Sequence, residues 1–454
     1  MADSGERNRS QRKLKQETSS TGDSGDFISS MPDEILHHII SFNPTKLAVK
    51  TSVLSKRWRH VWCETPCLSF GVEATVRGIN QTLISYRALK LLSFFLANAY
   101  YVTSREINSW IEFAMSRSVH KLHVSFHNYT CPDFFFLSSS LEKLYVRSAL
   151  IPRCTTVSWK SLRNLKLSSC NVESSDNILS GCPILETLEL IYCLGLPQRL
   201  DLSKSLSLRR LEIKWSFKSS YPVEILAPHI HYLKLTMYEE PCTLVDVSSV
   251  TEASLEICIS YNFFSVADFV QIMVLKMLEK LQNVERLTFG RTLLQMLSLA
   301  ELRGLTFPML KVHTLIVETM VVRTAIPPGI TRLLQNSPVL KKLIAQATCS
   351  GSIKDQDLDN YLSQRGLNPD KCWRSEYIQN AASKLFASFM ELVLRNSKTL
   401  ETMVVQFRSR YTHPLALECF AQLLQMPPTL PHNNNVSIVL NPNNYSLIAS
   451  VSLI

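Results

Sequence analysis

The stretch Leu141-Glu142-Lys143-Leu144-Tyr145-Val146 returns 21 residues later as Leu162-Arg163-Asn164-Leu165-Lys166-Leu167. It returns again as Leu185-Glu186-Thr187-Leu188-Glu189-Leu190 and as Leu208-Arg209-Arg210-Leu211-Glu212-Ile213. Each copy has the form L-x-x-L-x-L, whose last two apolar positions stand two apart and so share one face of a strand. Working outward, Val119/Leu122/Val124 precedes these copies, and Ile230/Leu233/Leu235 and a weaker copy ending in Leu255/Ile257 follow. The middle apolar residues fall at 122, 144, 165, 188, 211, 233 and 255, with gaps of 22, 21, 23, 23, 22 and 22. Further copies sit at Val284/Leu287/Phe289, Val312/Leu315/Val317 and Leu340/Leu343/Ala345, and Leu400/Met403/Val405 follows a long insertion.

The segments ahead of the strands repeat as well. Leu179-Ser180-Gly181-Cys182-Pro183-Ile184-Leu185-Glu186 is echoed by Leu334-Gln335-Asn336-Ser337-Pro338-Val339-Leu340-Lys341, and again by Leu394-Arg395-Asn396-Ser397-Lys398-Thr399-Leu400-Glu401. Each reads as a helix end with Gly or Asn available for a left-handed cap, then a turn, then the strand. A period in the low twenties with one strand per unit is the leucine-rich-repeat signature. One convex helix and one concave strand per unit predict an α/β solenoid with a curved parallel sheet over residues 119–345.

Composition agrees with a chain built for packing. Of 454 residues 65 are Leu and only 12 are Gly. Glycine that scarce weighs against Gly-rich phosphate loops, and neither GxGxxG nor GxxxxGK[ST] occurs. The 48 Lys+Arg against 38 Asp+Glu give a net charge of +10, spread thinly along the chain, which disfavours nucleic acid as the partner. The 12 Cys include no CxxC pair, so reduced thiols in the nucleus or cytoplasm are expected. The longest apolar run, around Leu89 to Tyr101, is broken by Lys90 and Asn98 and is too short to span a bilayer.

Residues 1–25 have mixed charge and no apolar pattern and are expected to be a disordered basic arm. Structure is expected from Asp26. Pro32 suits a first helical position, with Asp33 and Glu34 in the first turn and Ile35, Leu36, Ile39 and Ile40 as one apolar stripe. Asn43-Pro44 breaks that helix; Thr45 opens a second with Leu47, Val49, Val53 and Leu54; Ser55 opens a third with Trp58, Val61 and Trp62. Three such short helices cannot hide this much Ile, Leu and Trp among themselves, which implies a partner. Residues 71–118 are expected to be a mostly helical linker, with Leu83 to Leu96 helical. Residues 346–430 form a divergent region with one late repeat, and residues 431–454 a tail or strand.

The segment Phe27 to Phe70 resembles an F-box of the plant F-box/leucine-rich-repeat family. The matching residues are Ile28-Ser29-Ser30-Met31-Pro32-Asp33-Glu34-Ile35-Leu36, Ser41-Phe42, Pro44-Thr45-Lys46, Thr51-Ser52-Val53-Leu54-Ser55-Lys56-Arg57-Trp58-Arg59 and Trp62. Met31 stands where the family usually has Leu, and Asn43 replaces the usual apolar residue before Pro44. Trp110-Ile111, Ala114, Arg117 and Val119 resemble the family's linker, and Cys372-Trp373 to Phe407 faintly its C-terminal FBD extension. The resemblance implies the substrate-recognition subunit of an SCF ubiquitin ligase, without catalysis of its own and without a cofactor. The F-box would dock on a Skp-type adaptor, called ASK in plants, and through it a cullin, while the repeats bind the target. Carried over residue by residue, the adaptor face comprises Met31, Pro32, Ile35, Leu36, Ile39, Leu54 and Trp58. The alternative is a repeat scaffold acting outside a ligase.

His120, His123, His127 and Cys131 look like a metal box, but His123 and His127 are four strand residues, about 13 Å, apart, too far to share an ion. Cys170 and Cys193 fall where this repeat type satisfies buried backbone groups in a turn, so packing outweighs nucleophilic chemistry. On the outward positions of the strands lie Lys121, His123, Lys143, Tyr145, Arg147, Lys166, Arg210, Lys214, Lys234, Arg286 and Lys342. The acids at equivalent places are Glu189, Glu212, Glu256 and Glu318. Nine Lys/Arg against four Glu make a basic lining, which points to an acidic or phosphorylated target protein.

Overall fold

The computed structural model describes residues 28, 31–97, 102–153, 156–173, 175–215, 224–238, 242–259, 263–319, 328–347, 353, 355–368, 392–407, 437–442 and 449–452. The basic arm over residues 1–25 lies outside the described residues, as does most of the stretch from Cys372 with its faint C-terminal resemblance. The chain divides into two compact units, residues 1–96 and 97–454.

The first unit opens with helices Asp33–Ser41 and Thr45–Lys50, a single turn Thr51–Val53, a short helix Trp58–Val61 and a turn Trp62–Glu64. Its apolar stripe divides. Residues i and i+1 on a helix are about 100° apart, so Leu36 and Ile40 turn inward while Ile35 and Ile39 stay outside. Leu36, Ile40, Ala48, Trp58, Val61, Trp62 and Cys63 form one core, with Met31 and Val49 packed against it. Arg57 closes the corner: its guanidinium donates to Asp33 at 2.9 Å through Nε and to the Met31 carbonyl.

The helices are not a free-standing triplet. Strand Cys67–Phe70 pairs in parallel with Ser93–Leu96, and helix Val76–Ser85 lies between them in sequence. Buried Thr45 accepts a hydrogen bond from the Ser69 N–H at 2.6 Å, and the Tyr86 hydroxyl donates to the Thr65 carbonyl at 2.7 Å. This corrects the expectation of a helix from Leu83 to Leu96. The helix ends at Ser85, and Ser93-Phe94-Phe95-Leu96 alternates half-buried and buried as a strand does.

The second unit begins with helix Ser104–Ser116, started by a capping box in which Thr103 and Glu106 serve each other's backbone N–H. Ile107, Trp110, Ile111 and Ala114 are its buried face. A parallel sheet follows, one strand per repeat: Lys121–Thr130, Lys143–Ile151, Asn164–Ser168, Thr187–Ile191, Arg210–Lys214, Tyr232–Tyr238 and Glu252–Cys258. It continues through Arg286–Phe289, Thr314–Thr319, Lys342–Ala347, Thr402–Phe407 and Ser437–Pro442, and ends on antiparallel Ala449–Ser452. The register puts Leu122, Leu144, Leu165, Leu188, Leu211, Leu233 and Ala253 in one row. Every one of them is at most 2% exposed, so the Leu excess is the solenoid core.

The expected helix in every unit is corrected by the structure. Between Lys143 and Cys258 the return segments include short strands, Arg199–Asp201, Glu224–Leu226 and Thr243–Asp246, which form a second parallel sheet. The only helix there among the described residues is Ser175–Ser180. The reason is length: a unit of about 22 residues, less its strand and two turns, has too few left for a helix of three turns at 3.6 residues each. The row passes through Ala253 rather than Leu255, and where its spacing widens, from 253 to 287, 287 to 315 and 315 to 343, helices Phe263–Lys280, Arg291–Leu302 and Pro328–Gln335 fill it. No helix among the described residues is long and apolar enough to cross a membrane.

Candidate functional site

Two surfaces stand out, one in each unit. On the F-box segment, Ile28, Ile35, Ile39, Phe42, Leu47, Val53 and Leu54 are all exposed, Val53 by 87% and Phe42 by 76%. They are seven large apolar side chains within 27 residues, beside a core already complete without them. Water-facing apolar density of this kind marks a protein-binding face. Of the adaptor residues expected from sequence, Pro32, Ile35, Ile39 and Leu54 are exposed. Leu36 at 0% and Trp58 at 6% are core and are withdrawn from the contact set; Met31 is half-buried against them. Phe42, Leu47 and Val53 are likewise exposed and stand outside the expected set, although Leu47 and Val53 share the apolar pattern of the second helix. Phe42 lies against the His38 ring, 4.9 Å between centroids.

The second surface is the outward face of the sheet, whose register sorts its side chains into rows. One row runs Lys121, Lys143, Asn164, Thr187, Arg210, Tyr232, Glu252, Arg286, Thr314, Lys342. The next runs His123, Tyr145, Lys166, Glu189, Glu212, Lys234, Ser254. The register thus makes Lys121 and Lys143 neighbours and sets Lys166, Arg210 and Lys234 beside acids, while Arg286 and Lys342 stand several strands away. They are not equivalent. Lys166 pairs with Glu189 at 2.5 Å, Arg210 with Glu212 at 2.6 Å, Lys234 with Glu212 at 3.6 Å and Arg286 with Glu252 at 4.0 Å. Arg210 also lies 3.5 Å over the Tyr232 ring, and Lys214 lies 5.2 Å over Tyr192. The middle of the face is therefore largely neutralised by its own acids, which counting residue types does not reveal. Among the described residues, the lining cations Lys121, Lys143 and Arg147 have no carboxylate partner and stand together on the first two strands, whereas Lys214, over Tyr192, and Lys342 are single cations further along.

The histidines do not form a metal box. His120 Nδ1 lies 3.2 Å from Glu142, and the His123 ring lies edge-on to Tyr145 at 4.0 Å. Burial and the Lys166 charge push His123 down to about 4, so it is neutral at pH 7. No metal-binding group of three or more His, Cys, Asp or Glu occurs among the described residues. The Cys170 and Cys193 thiols are buried and donate to strand carbonyls, Cys193 to Leu167 O at 3.4 Å. Burial pushes the Cys193 thiol up to about 12, which removes the thiolate a nucleophile needs.

Comparison with known proteins decides the family. An F-box domain model matches residues 28–69, and a leucine-rich-repeat model described from FBD-associated F-box protein At5g56370 matches residues 107–257. The chain is 48% identical over 448 residues to F-box/LRR-repeat protein At5g02910 of Arabidopsis thaliana, covering 92% of this chain and 96% of that protein. The chain belongs to the plant F-box/leucine-rich-repeat family. Putative F-box/LRR-repeat protein At5g02700 and Putative F-box/LRR-repeat protein At3g28410, both from Arabidopsis thaliana, are each 50% identical, covering 93% of this chain and 95% of those proteins. The family's F-box is a docking module for Skp-type adaptors, and its members act as non-catalytic adaptors. The exposed apolar set on residues 28–54 lies within the segment that the F-box model matches.

Proposed function

We propose that this protein is the target-recognition subunit of an SCF ubiquitin ligase. Its F-box docks on a Skp-type adaptor of the ASK kind and through it on a cullin, and its repeats hold the protein to be ubiquitinated. Bond-making belongs to the cullin-bound RING protein and the ubiquitin-conjugating enzyme. The observation behind this reading is the division of the F-box stripe: Leu36, Ile40 and Trp58 complete a core, leaving Ile35, Ile39 and Leu54 with no internal use. The buried Cys131, Cys170, Cys182, Cys193 and Cys242 form no disulfide, which supports a reducing compartment, the nucleus or cytoplasm.

Co-purification with a Skp-type adaptor and cullin tests the proposal. Wild type is expected to bring down both, and Ile35→Glu with Leu54→Glu neither, with the melting curve unchanged. Capture of adaptor without cullin rejects the ligase assignment, and unchanged adaptor capture by the double variant rejects the assigned face.

A further inference from the structure

The outward face of the first two repeat strands contains a cluster whose charge the fold leaves unbalanced. Lys121 and Lys143 are register partners on adjacent parallel strands, both exposed, about 4.8 Å apart at the backbone. Like charges directly opposite disfavour a sheet, and the next residue in the row, Asn164, supplies no counter-charge. Arg147 lies on the same face, four residues beyond Lys143, with Ser125 and Ser168 on either side of it in register. Glu142, next to Lys143 in sequence, lies 3.2 Å from His120, and Glu189 is paired with Lys166. Between the lysines and the arginine lies the half-buried Tyr145 ring, with His123 at its edge and Lys166 Nζ 5.7 Å from its centroid.

We infer that this corner is a phosphate-recognition site for the target chain. This rests on the proposed role of the repeats as the target-binding part. Two exposed lysines at opposed register positions match a single phosphoryl group, with close to two negative charges and three acceptor oxygens, better than one carboxylate. The distance from Lys143 to Arg147, about 13 Å for four strand residues, fits an extended segment crossing the Tyr145 ring. Arg147 then receives an acidic side chain or second phosphate about four residues from the first. The ligand class is a phosphoserine- or phosphothreonine-containing polypeptide. The ion-paired Arg210, Lys234 and Arg286 lie outside the site.

The test uses the full chain co-purified with its Skp-type adaptor. It is offered a degenerate peptide library fixed only at a central phosphoserine or phosphothreonine, the same library unphosphorylated, and a single-stranded oligonucleotide. The phosphorylated library should be retained at least about tenfold over its counterpart, the size expected of one charge-assisted contact set. Lys121→Glu with Lys143→Glu and Arg147→Glu should abolish that preference, and so should the neutral Gln triple variant, with adaptor capture unchanged. Arg210→Glu should change it by less than about threefold, because that cation is internally paired. Equal retention of the two libraries overturns the inference, as does undiminished preference in the triple variants. Oligonucleotide retention that is lost in the triple variants assigns the corner to nucleic acid instead. Adaptor capture is read separately, so failure of the phosphate site leaves the ligase reading standing and failure of capture rejects that reading alone.

Discussion

The Glu256 carboxylate occupies the space that a side chain on Gly290 would need: a Cβ on that residue would lie 1.0 Å from Glu256 Oε2. Gly290 has an ordinary φ of −70°, so the glycine is required by close approach rather than by backbone conformation. It is the N-cap of helix Arg291–Leu302 and has no side chain to satisfy the first N–H groups. Glu256, from the adjacent strand, accepts from the Thr292 N–H in its place. The arrangement ties strand Glu252–Cys258 to the helix that follows the neighbouring strand Arg286–Phe289.

Gly290→Ala is expected to displace Glu256, costing about 1–3 kcal/mol through overpacking and loss of the cap. Urea unfolding of the purified protein measures it. A midpoint within error of wild type would show that the carboxylate is not needed at the helix start.

The same carboxylate gives a pH dependence. Burial, then the Glu318 charge, push Glu256 up to about 8 against the opposing pull of the Ile257 and Thr292 N–H groups and Arg291. Folding therefore favours its protonated form. That contribution is fully present below its unfolded value near 4.5 and is lost as pH rises through about 8. Unfolding midpoints should fall between about pH 5 and about pH 8.5 in wild type, and fall less in Glu256→Gln. Equal slopes for the two proteins would remove Glu256 as the source.

A second network ties helix Asp355–Gln364 to helix Phe263–Lys280 and to Arg303 at the end of helix Arg291–Leu302. The Tyr361 hydroxyl donates to Asp268 and accepts from the buried Gln271 amide at 2.9 Å, and Arg303 donates to Gln271 Oε1 at 2.9 Å. Arg365 holds both Asp268 oxygens at 2.7 Å and lies 3.7 Å over the Tyr361 ring. Tyr361→Phe takes away one partner of a buried amide and should cost about 1–2 kcal/mol. Asp268→Asn, on a half-exposed carboxylate, should cost about 1 kcal/mol or less. Hydrogen exchange in residues 355–364 should rise in Tyr361→Phe more than elsewhere. Uniform change across the chain would argue against a local tie.

Leu36 and Ile35 are neighbours in sequence with opposite tasks. Leu36→Ala removes a fully buried side chain and should cost about 2–5 kcal/mol, losing adaptor capture by unfolding the F-box. Ile35→Ala, at a side chain 47% exposed, should leave the melting curve within about 0.5 kcal/mol of wild type while weakening capture. Comparable melting shifts for the two would contradict the division of the stripe.

The strand rows were legible in the sequence because a core position repeated every 21–23 residues leaves a register that one chain displays many times over. Strands Cys67–Phe70 and Ser93–Leu96 were not, because four residues in a single copy provide too few periods to tell alternation from the end of a helix. The split of the F-box stripe was half legible: its residues were identified, but whether Leu36 or Ile35 faces inward depends on which helices the face meets. The basic lining was legible as residue types. Its neutralisation was not, since Lys166–Glu189 and Lys234–Glu212 join residues 22 or 23 apart that only the sheet register makes adjacent.

Glu212 is the acid on which the middle of the lining depends, since it holds both Arg210 at 2.6 Å and Lys234 at 3.6 Å. Its side chain is 18% exposed, so both pairs are better shielded than surface bridges are. Glu212→Gln removes one negative charge and frees two cations on adjacent strands, Arg210 opposite Tyr232 and Lys234 opposite the substituted residue, diagonal to each other rather than directly opposed as Lys121 and Lys143 are. Retention of a poly-glutamate peptide at low salt should increase severalfold in this variant and fall more steeply with added salt than in wild type. If retention is unchanged, the two cations were already available to a ligand, and the division of the lining into a neutral middle and a charged end does not hold.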